Sequence, residues 1–470
     1  MGMTPAANRS TGAYRGGTSQ RKSIVFQVGR GGARITGLRF GYRLTGSSCP
    51  TRTASFSRLP APRMVITRGA FGFVQKTNAS SGGVRTVRTI RFRGRFTSTG
   101  AARGSFTVTL ANSHGARCQT GGVTYSTLAR LVEFRIAYPR GTAGSPPGAT
   151  DPGSTHELTF NPRAPDAIWV TGQNEAEVVR LGLQGQETFF PMPVGSGPHG
   201  IVFNRLGQLW VTLEFAGELV RLNSHGKIVQ RVDLPRDCPS CGSGVAPGPH
   251  GLAVGPDGRT LWYTGKEAGV IGRVSPDGAV RSFRLPHADG KPIYIHAGPD
   301  GNMWFTELTG NKIGQITPSG HLREFTIPTP DSLPIEIVPD PRGRAMWFSE
   351  AASDKIGRIS LNGKITEFQM PKSQPNQILA GLAFDRQGNL WVEQYIDQNH
   401  PSPPGPDRLI RIASSITTTK PGDLPAKQFK FFDVPTRSTV MHRIILGPDG
   451  NMWFTEMMAN QVGRILTGAK

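Results

Sequence analysis

The first 126 residues contain no aspartate and no glutamate, against 20 arginines and lysines. The rest of the chain is close to balance, with 34 basic and 32 acidic residues, so nearly all of the net charge of +22 resides in the first quarter. That absence excludes one evenly charged domain and marks a boundary in the composition itself. Long apolar runs are missing as well. No stretch approaches the ~18 residues that a membrane-spanning helix needs, and the opening MGMTPAANRSTGAYRGG lacks the apolar core of an export signal. Apolar residues make up only 37%, whereas 60 glycines and 38 prolines demand many tight turns. An all-β chain with frequent reversals uses that mixture; a helical one does not.

Cysteine is scarce, with Cys49 and Cys118 in the basic region and Cys238 and Cys241 further on. Two separated pairs fit disulfides formed in an oxidising compartment. A Cys49–Cys118 bridge closes a loop of about 70 residues, worth roughly 4 kcal/mol on the chain-entropy model. The CPSC stretch at 238–241 lies in a Gly/Pro-rich loop and reads as a staple of that loop, with a redox pair or half of a metal site as alternatives. An extracytoplasmic or secreted setting is the matching expectation, with the cytoplasm left open by the missing signal.

Tryptophan is scarce too, and its placement is the strongest signal in the chain. All seven sit in one local context: IWVT (Trp169), LWVT (Trp210), LWYT (Trp262), MWFT (Trp304), MWFS (Trp347), LWVE (Trp391) and MWFT (Trp453). Their spacings of 41, 52, 42, 43, 44 and 62 describe a period near 42 with two insertions, the signature of propeller blades. The decapeptide GPDGNMWFTE even recurs letter for letter at 298–307 and 447–456. In residues 292–328 a short apolar strand ends at Gly-Pro-Asp-Gly, where Pro presets φ and Gly accepts a positive one. NMWFTE then returns antiparallel, NKIGQI makes a third strand, and LREFTIP a fourth.

The last repeat stops at Ile465 without a fourth strand, and LVEFRIAYP at 131–139 resembles the outer strands LREFTIP and ITEFQMP. The expected architecture is therefore all-β: a seven-bladed β-propeller (127–470) preceded by a small basic β-sandwich-like domain (1–126). Residues 131–139 supply the outer strand of the last blade, which removes the free edges of an open sheet. In the basic domain, Ile90, Phe92 and Phe96 alternate with Arg91, Arg93 and Arg95, and Leu38, Phe40, Tyr42 and Leu44 alternate with Arg39 and Arg43. Arginines two apart on a strand stand ~6.6 Å apart, which suits an anionic polymer, either of the cell envelope or a nucleic acid.

The pattern GPDGNMWFTE–x3–N–x–(I/V)GRI with its EFxxP strand resembles the virginiamycin B lyase family over about 131–467. The resemblance implies a seven-bladed propeller that linearises streptogramin B antibiotics by Mg²⁺-dependent elimination at an ester, not by hydrolysis. It also implies two histidines opening the inner strands of adjacent blades and two glutamates, one two residues before the second histidine and one four after that blade's Trp. Here His199 takes the histidine position of blade 2, Glu214 stands four after Trp210, and His156 is the neighbour from blade 1, while Gly197 stands two before His199. Aligned by chain order instead, blade 7 offers His442, with Val440 two before it and Glu456 three after Trp453. Blade 6 then has Ala380 at the histidine position.

Independently of the family, four blades carry histidine at one inner position: His442, His156, His199 and His250. In a closed ring those blades are consecutive. They read either as loop variants with solvated imidazoles or as a cluster for a metal or a general base. Glu214 and Glu456 end second strands at the same mouth, which makes them and His250 candidate metal ligands and His156, His199, His442, Glu214 and Glu456 candidate catalytic groups. Mg²⁺ follows from the resemblance; Zn²⁺ or another histidine-bound divalent ion is the alternative. Glu307 and Glu350 end strands there without a matching histidine, His296 reads as structural, and 397–407 is an insertion that either overhangs the channel or is a plain excursion. Two functions follow. One is a carbon–oxygen lyase acting as a monomer on a small cyclic ester or peptide; the other is a non-catalytic, envelope-associated binding propeller tethered through its basic domain.

Overall fold

The computed structural model describes the chain apart from residues 1–11, 21–22, 29–33, 45–52, 56–63, 67–69, 82, 97–100, 115–116, 130, 140–152, 237–246, 372–374, 421–423 and 468–470. Cys49, Cys238, Cys241 and most of the 140–154 connection therefore lie outside the described residues, while Cys118 is buried. The chain divides into two compact units, 1–134 with 468–470, and 135–467.

In the first unit the described strands form one ten-stranded sheet. Its order is Thr53–Ser55, Arg34–Arg43, Ser23–Val28, Gly12–Thr18, Val123–Ala129, Ala101–Asn112, Val84–Phe96, Ala70–Ser81. Met64–Val65 pairs with the second of these and Arg117–Gln119 with the sixth. The sheet folds back on itself. The Phe40 ring lies 4.4 Å from that of Phe106, and Phe26 lies 5.7 Å from Phe71, although their strands are well apart in the sheet order. This makes the unit sandwich-like, with Ile90, Phe92, Phe96, Leu38, Phe40, Tyr42 and Leu44 all buried and Arg91, Arg93 and Arg95 exposed. The two-residue alternation is thus the sequence's own record of an inside and an outside.

The second unit contains, among the described residues, six complete four-stranded antiparallel sheets and three strands of a seventh. These are numbered here as blades by their innermost strands: Thr155–Thr159, Pro198–Phe203, Pro249–Val254, Pro292–Ala297, Pro334–Pro339, Gln377–Phe384 and Met441–Leu446. Each innermost strand packs against that of the next blade, and the last packs against the first, which closes a ring around a central channel. The sheet of blade 7 runs Leu131–Arg135, Gln461–Ile465, Met452–Glu456, Met441–Leu446.

The repeated motif has two structural jobs. The turn aspartate accepts a hydrogen bond from the indole N–H: Asp300 from Trp304 (3.1 Å), Asp449 from Trp453 (2.9 Å), and likewise Asp340 from Trp347 and Asp385 from Trp391. The indole face stacks on the Phe of the outermost strand, as in Trp304–Phe325 and Trp391–Phe432. A fully buried Trp is thereby satisfied at its polar end and packed along its body.

The second job falls to the residue two after each Trp. In every blade the innermost strand carries a bulge, where two residues face one on the second strand. His199 and Gly200 face Thr212, for example, and His442 and Arg443 face Thr455. The hydroxyl fills the gap that the extra residue opens. Thr455 Oγ1 accepts from the Arg443 N–H (3.0 Å) and donates to the His156 carbonyl of the next blade (2.7 Å). Thr171 does the same between Glu157 N–H and the His199 carbonyl. Threonine recurs at this place because one small donor–acceptor group satisfies a bulge and ties neighbouring blades together. Blade 6 departs from the rule: Glu393 stands there and accepts from the Gly381 N–H (3.0 Å).

Candidate active site

The bulge decides what reaches the channel. It brings two consecutive residues of each innermost strand toward the axis instead of one. The first of each pair is His156, His199, His250, Ile293, Ile335, Ala380 and His442; the second is Glu157, Gly200, Gly251, Tyr294, Glu336, Gly381 and Arg443. One tier is thus rich in imidazole and the tier beside it mixes acids, a phenol and a guanidinium.

The four histidines of the first tier converge. Ring centroids lie 3.9 Å apart for His199 and His250, 4.9 Å for His156 and His442, 5.1 Å for His156 and His199, and 5.3 Å for His199 and His442. His156, His199 and His442 each bring one ring nitrogen within 4.8 Å of the others, and so do His199, Glu214 and His250 through ligand atoms. Burial drives His156 down to about 3 and holds His199 and His250 well below the usual histidine range, reinforced by their neighbours. These three imidazoles are neutral at physiological pH.

Above this tier, Glu214 is clamped. Its Oε2 accepts from Gln173 Nε2 (2.6 Å) and its Oε1 pairs with Lys266 Nζ (2.5 Å). Burial raises the Glu214 carboxyl, with Lys266 and Gln173 pulling the other way. Gly197 has a φ of +63°, a left-handed conformation that disfavours any side chain, and the exposed Phe215 ring lies against its Cβ position. Glu456 behaves differently from Glu214. It pairs with Met441, as Glu307 pairs with Pro292 and Glu350 with Pro334, whereas the residue opposite Pro198 in blade 2 is Leu213. One residue of offset turns the side chain to the other face of the strand. Glu456 is fully buried and belongs to neither cluster of ligand atoms among the described residues.

Below the histidines, groups from non-adjacent blades meet on the axis. Tyr294 Oη donates to Glu157 Oε1 (2.5 Å) and lies 3.1 Å from His442 Nδ1, which is itself 3.2 Å from the same carboxylate oxygen. Arg443 pairs with Glu336 and reaches Glu157 Oε2 at 3.4 Å, its guanidinium 5.2 Å from the Tyr294 ring centre. Burial alone pushes Glu157 up, but Arg443 and His442 outweigh it and hold the carboxyl at about 2, so it is ionised. Burial wins at Glu336, raised to about 7 against the pull of Arg443, and still more at Glu393, which lies well above the carboxylate range. Burial likewise lifts Tyr294 well above its ordinary value, so it is a neutral donor.

The histidine tier was legible from the repeat. Glu157, Tyr294, Glu336, Arg443, Gln173 and Lys266 were not singled out, although each stands at a fixed offset from a repeat landmark. His296 lies apart from the cluster, its Nδ1 on the Ala297 carbonyl (3.0 Å). In the 397–407 insertion, Asp397 and His400 border a cavity of about 310 Å³ together with Leu333, Ala351 and Asn376.

Comparison with known proteins agrees with this architecture. The family model described as the Virginiamycin B lyase family matches residues 163–399. A virginiamycin B lyase of Bordetella bronchiseptica is 55% identical over 49 residues, 10% of this chain and 16% of that protein. One of Nocardia farcinica is 30% identical over 136 residues, 29% of this chain and 44% of that protein. The chain thus spans less than half the length of each of these curated relatives. Among solved structures, virginiamycin B lyase of Staphylococcus aureus matches with a TM-score of 0.57 and 25% identity, covering 72% of this chain and 99% of that one. A streptogramin B lyase at 23% identity and the same TM-score covers 72% and 97% and shares the fold.

Proposed function

The chain belongs to the virginiamycin B lyase family, and from that premise we propose that it opens a small cyclic ester by carbon–oxygen elimination in the channel of its propeller. The observation that carries the reading is His442, whose Nδ1 is backed by Glu157 and Tyr294 while its side chain stays 20% exposed. The Nδ1–H donates toward that pair, which leaves Nε2 as a base, and the ionised Glu157 stabilises the imidazolium once a proton is taken. In the elimination, Nε2 removes a proton from the carbon next to the ester-bearing carbon. The C–H electrons form a C=C bond, the C–O bond breaks, and the carboxylate departs. Lys266, 26% exposed beside the histidines, is the cation that favours negative charge building on the ester carbonyl. Streptogramin B is the first substrate to try, because the relatives carry that activity in their names.

The resemblance brings with it an expectation of Mg²⁺. Mg²⁺ favours oxygen ligands and retains its waters. The donors that converge here are imidazole nitrogens, and both oxygens of Glu214 are already engaged by Gln173 and Lys266. The set fits Mg²⁺ poorly, and the proton transfer above needs none.

The test is incubation of the purified full chain with a streptogramin B, followed by liquid chromatography and mass spectrometry. A ring-opened product of unchanged mass, lost in His442→Ala, is the expected result. A gain of one water means hydrolysis and overturns the mechanism; an untouched antibiotic overturns the substrate.

A separate observation supports a role for the first unit. Arg91, Arg93 and Arg95 are exposed on one strand face, and Arg95 pairs in register with the exposed Arg103 of the next strand. We read this row as a weak polyanion-binding surface. Its affinity for a polyphosphate or teichoic-acid-like polymer falls steeply with salt, and charge-neutral substitution of Arg91, Arg93 and Arg95 weakens binding and makes that salt dependence shallower in an ion-competition binding assay.

A further inference from the structure

We propose that the first unit seats one strand of a polyol phosphodiester polymer in a groove on the outer face of its sheet, held by Arg91, Arg93, Ser105 and Thr107. Its premise is the polyanion reading of that unit, which it narrows from diffuse charge to a shaped site. The family model matches no residue of the unit, so the family supplies no role for this surface.

Three features carry it. The first is register. Antiparallel pairing of Ala70–Ser81, Val84–Phe96 and Ala101–Asn112 sets the outer face in rows across the sheet. The rows are Ala70, Arg95 and Arg103; Gly72, Arg93 and Ser105; Val74, Arg91 and Thr107; and Lys76, Thr89 and Thr109. Every row carries at least one exposed cation, and all but the first carry a hydroxyl. Successive rows on one face stand ~6.6 Å apart, so the four present charge at each step of a track about 20 Å long. Residues 1–126 contain no carboxylate to neutralise it. A polymer with one negative charge per short linker can place a charge beside each row. The second feature is relief. Gly72, Ser105, Thr107 and Gly122 have small side chains or none, and between them and Val74, Arg91 and Arg93 lies a cavity of about 580 Å³. Gly72 is held to that size, because a Cβ there would stand 2.7 Å from the Phe92 carbonyl oxygen and 3.3 Å from the Arg93 Cα. The groove is therefore built into the packing of the sheet backbone.

The third feature is donor chemistry. Arg93 Nε donates to Ser105 Oγ (3.1 Å), which steers the guanidinium across the groove floor and leaves the serine O–H to donate. Both groove rows thus set a guanidinium, which suits phosphate oxygens, beside a hydroxyl, which suits a polyol. Val74, exposed at the edge, offers the carbon chain of the linker an apolar contact. A single nucleic-acid strand is the competing phosphodiester, and it binds by stacking its bases on aromatic side chains. None of the four outer rows contains an aromatic residue, while Phe71, Phe92, Phe96 and Phe106 are buried. With no ring to stack on, the face favours the polyol polymer.

The experiment titrates the full chain by calorimetry, over a range of salt, with three probes matched in phosphate content: lipid-free poly(glycerol phosphate), inorganic polyphosphate and a single-stranded oligothymidylate. Poly(glycerol phosphate) is expected to bind about tenfold tighter than the other two. Its log K falls against log salt with a slope of about −3, as about four phosphate contacts require. Thr107→Trp fills the groove, keeps every cation and suits a strand. It lowers affinity for poly(glycerol phosphate) about tenfold and leaves that for polyphosphate within about twofold. Thr107→Val keeps the shape and removes the hydroxyl, which costs about fivefold for the polyol polymer alone. Circular dichroism and thermal melting establish that each variant is folded; should the tryptophan variant not fold, the valine variant decides. No binding of any probe overturns the polyanion reading and the groove with it. Equal affinity for polyphosphate and poly(glycerol phosphate), or folded Thr107 variants that bind both as the wild type does, overturns the groove and leaves the diffuse surface standing. Oligothymidylate bound tightest assigns the groove to nucleic acid and overturns the polymer class.

Discussion

Blades 4 and 7 share ten identical residues, GPDGNMWFTE, and differ in what they do for the molecule. In both, the turn aspartate holds the indole N–H of the Trp, the Trp is fully buried, and the threonine two residues on bridges the bulge to the next blade. The two residues that the bulge sends into the channel are Ile293 and Tyr294 in blade 4, but His442 and Arg443 in blade 7. Conserved scaffold and variable chemistry thus lie on facing strands of one hairpin. Repetition reports the packing problem that every blade solves alike, and the site is written where the repeat breaks.

The comparison predicts its largest effect at the point of difference. His442→Ala lowers kcat/KM for the cyclic ester substrate about 10²- to 10⁴-fold, the usual range for losing a general base. The melting temperature falls by only a few degrees, because the imidazole is partly exposed and Glu157 keeps Arg443 and Tyr294 as partners. A loss of activity that tracks a loss of folding would remove the distinction between site and scaffold. The shared decapeptide makes the converse prediction. Trp304→Ala and Trp453→Ala each cost about 3–5 kcal/mol of stability, and by similar amounts, read as paired shifts in denaturant midpoint. A large inequality would mean that identical sequence does not give identical packing.

The same contrast explains what sequence reading could and could not reach. The period of the Trp context, the turn chemistry and the strand alternation are local, and they are enough for blades and for a core. The four histidines were also visible, because an identical offset from a repeat landmark places them at one height in a ring. Tyr294, Glu157 and Arg443 were missed for a physical reason. Strict alternation assigns successive residues to opposite faces, and the bulge breaks that rule by bringing two neighbours to the axis. The same counting error in the other direction concerns Glu456. Its height matches that of His442, with Met441 its partner in register, but facing depends on one residue of offset that a height estimate does not resolve.

A pH experiment sharpens the comparison further. Burial pushes Glu307 up to about 8, with Glu324 adding to the rise and Lys312 opposing it. The carboxyl lies against the bare backbone of Gly290 and Gly310. Between the ordinary carboxylate range near 4.5 and about 8, the folded chain keeps a proton that the unfolded chain has lost. Stability therefore falls as pH rises through that window and levels off above it. Glu307→Gln, which has no proton to lose, is neutral at pH 5 and stabilising by about 3 kcal/mol at pH 9, measured as the difference between denaturation curves at the two pH values. The matching Glu456→Gln variant asks whether the second copy of the decapeptide buries its carboxyl under the same conditions. Equal pH profiles extend the identity of the two blades to their buried acids. Unequal ones locate the difference in the surroundings, since the ten residues are the same.

The smallest effect tests the link between the two strands. Thr306 accepts from Tyr294 N–H (3.3 Å) and donates to the Ile335 carbonyl (2.7 Å). Thr455 accepts from Arg443 N–H (3.0 Å) and donates to the His156 carbonyl (2.7 Å). Valine keeps the shape of threonine and removes the hydroxyl, which leaves one buried donor and one buried acceptor unpaired at a cost of about 2 kcal/mol. Thr306→Val and Thr455→Val should lose similar stability in thermal or denaturant melts. Their activities should separate. The Thr455 hydroxyl fixes the carbonyl of a histidine in the cluster, so its loss lowers kcat/KM roughly fivefold, about 1 kcal/mol of misplacement. The Thr306 hydroxyl fixes the carbonyl of Ile335, which brings no polar group to the histidine tier, and its loss changes kcat/KM less than twofold. Equal losses of activity would point to Tyr294, held at its amide by Thr306, as the more demanding constraint, and the limiting geometry would move from the histidine tier to the tier beneath it.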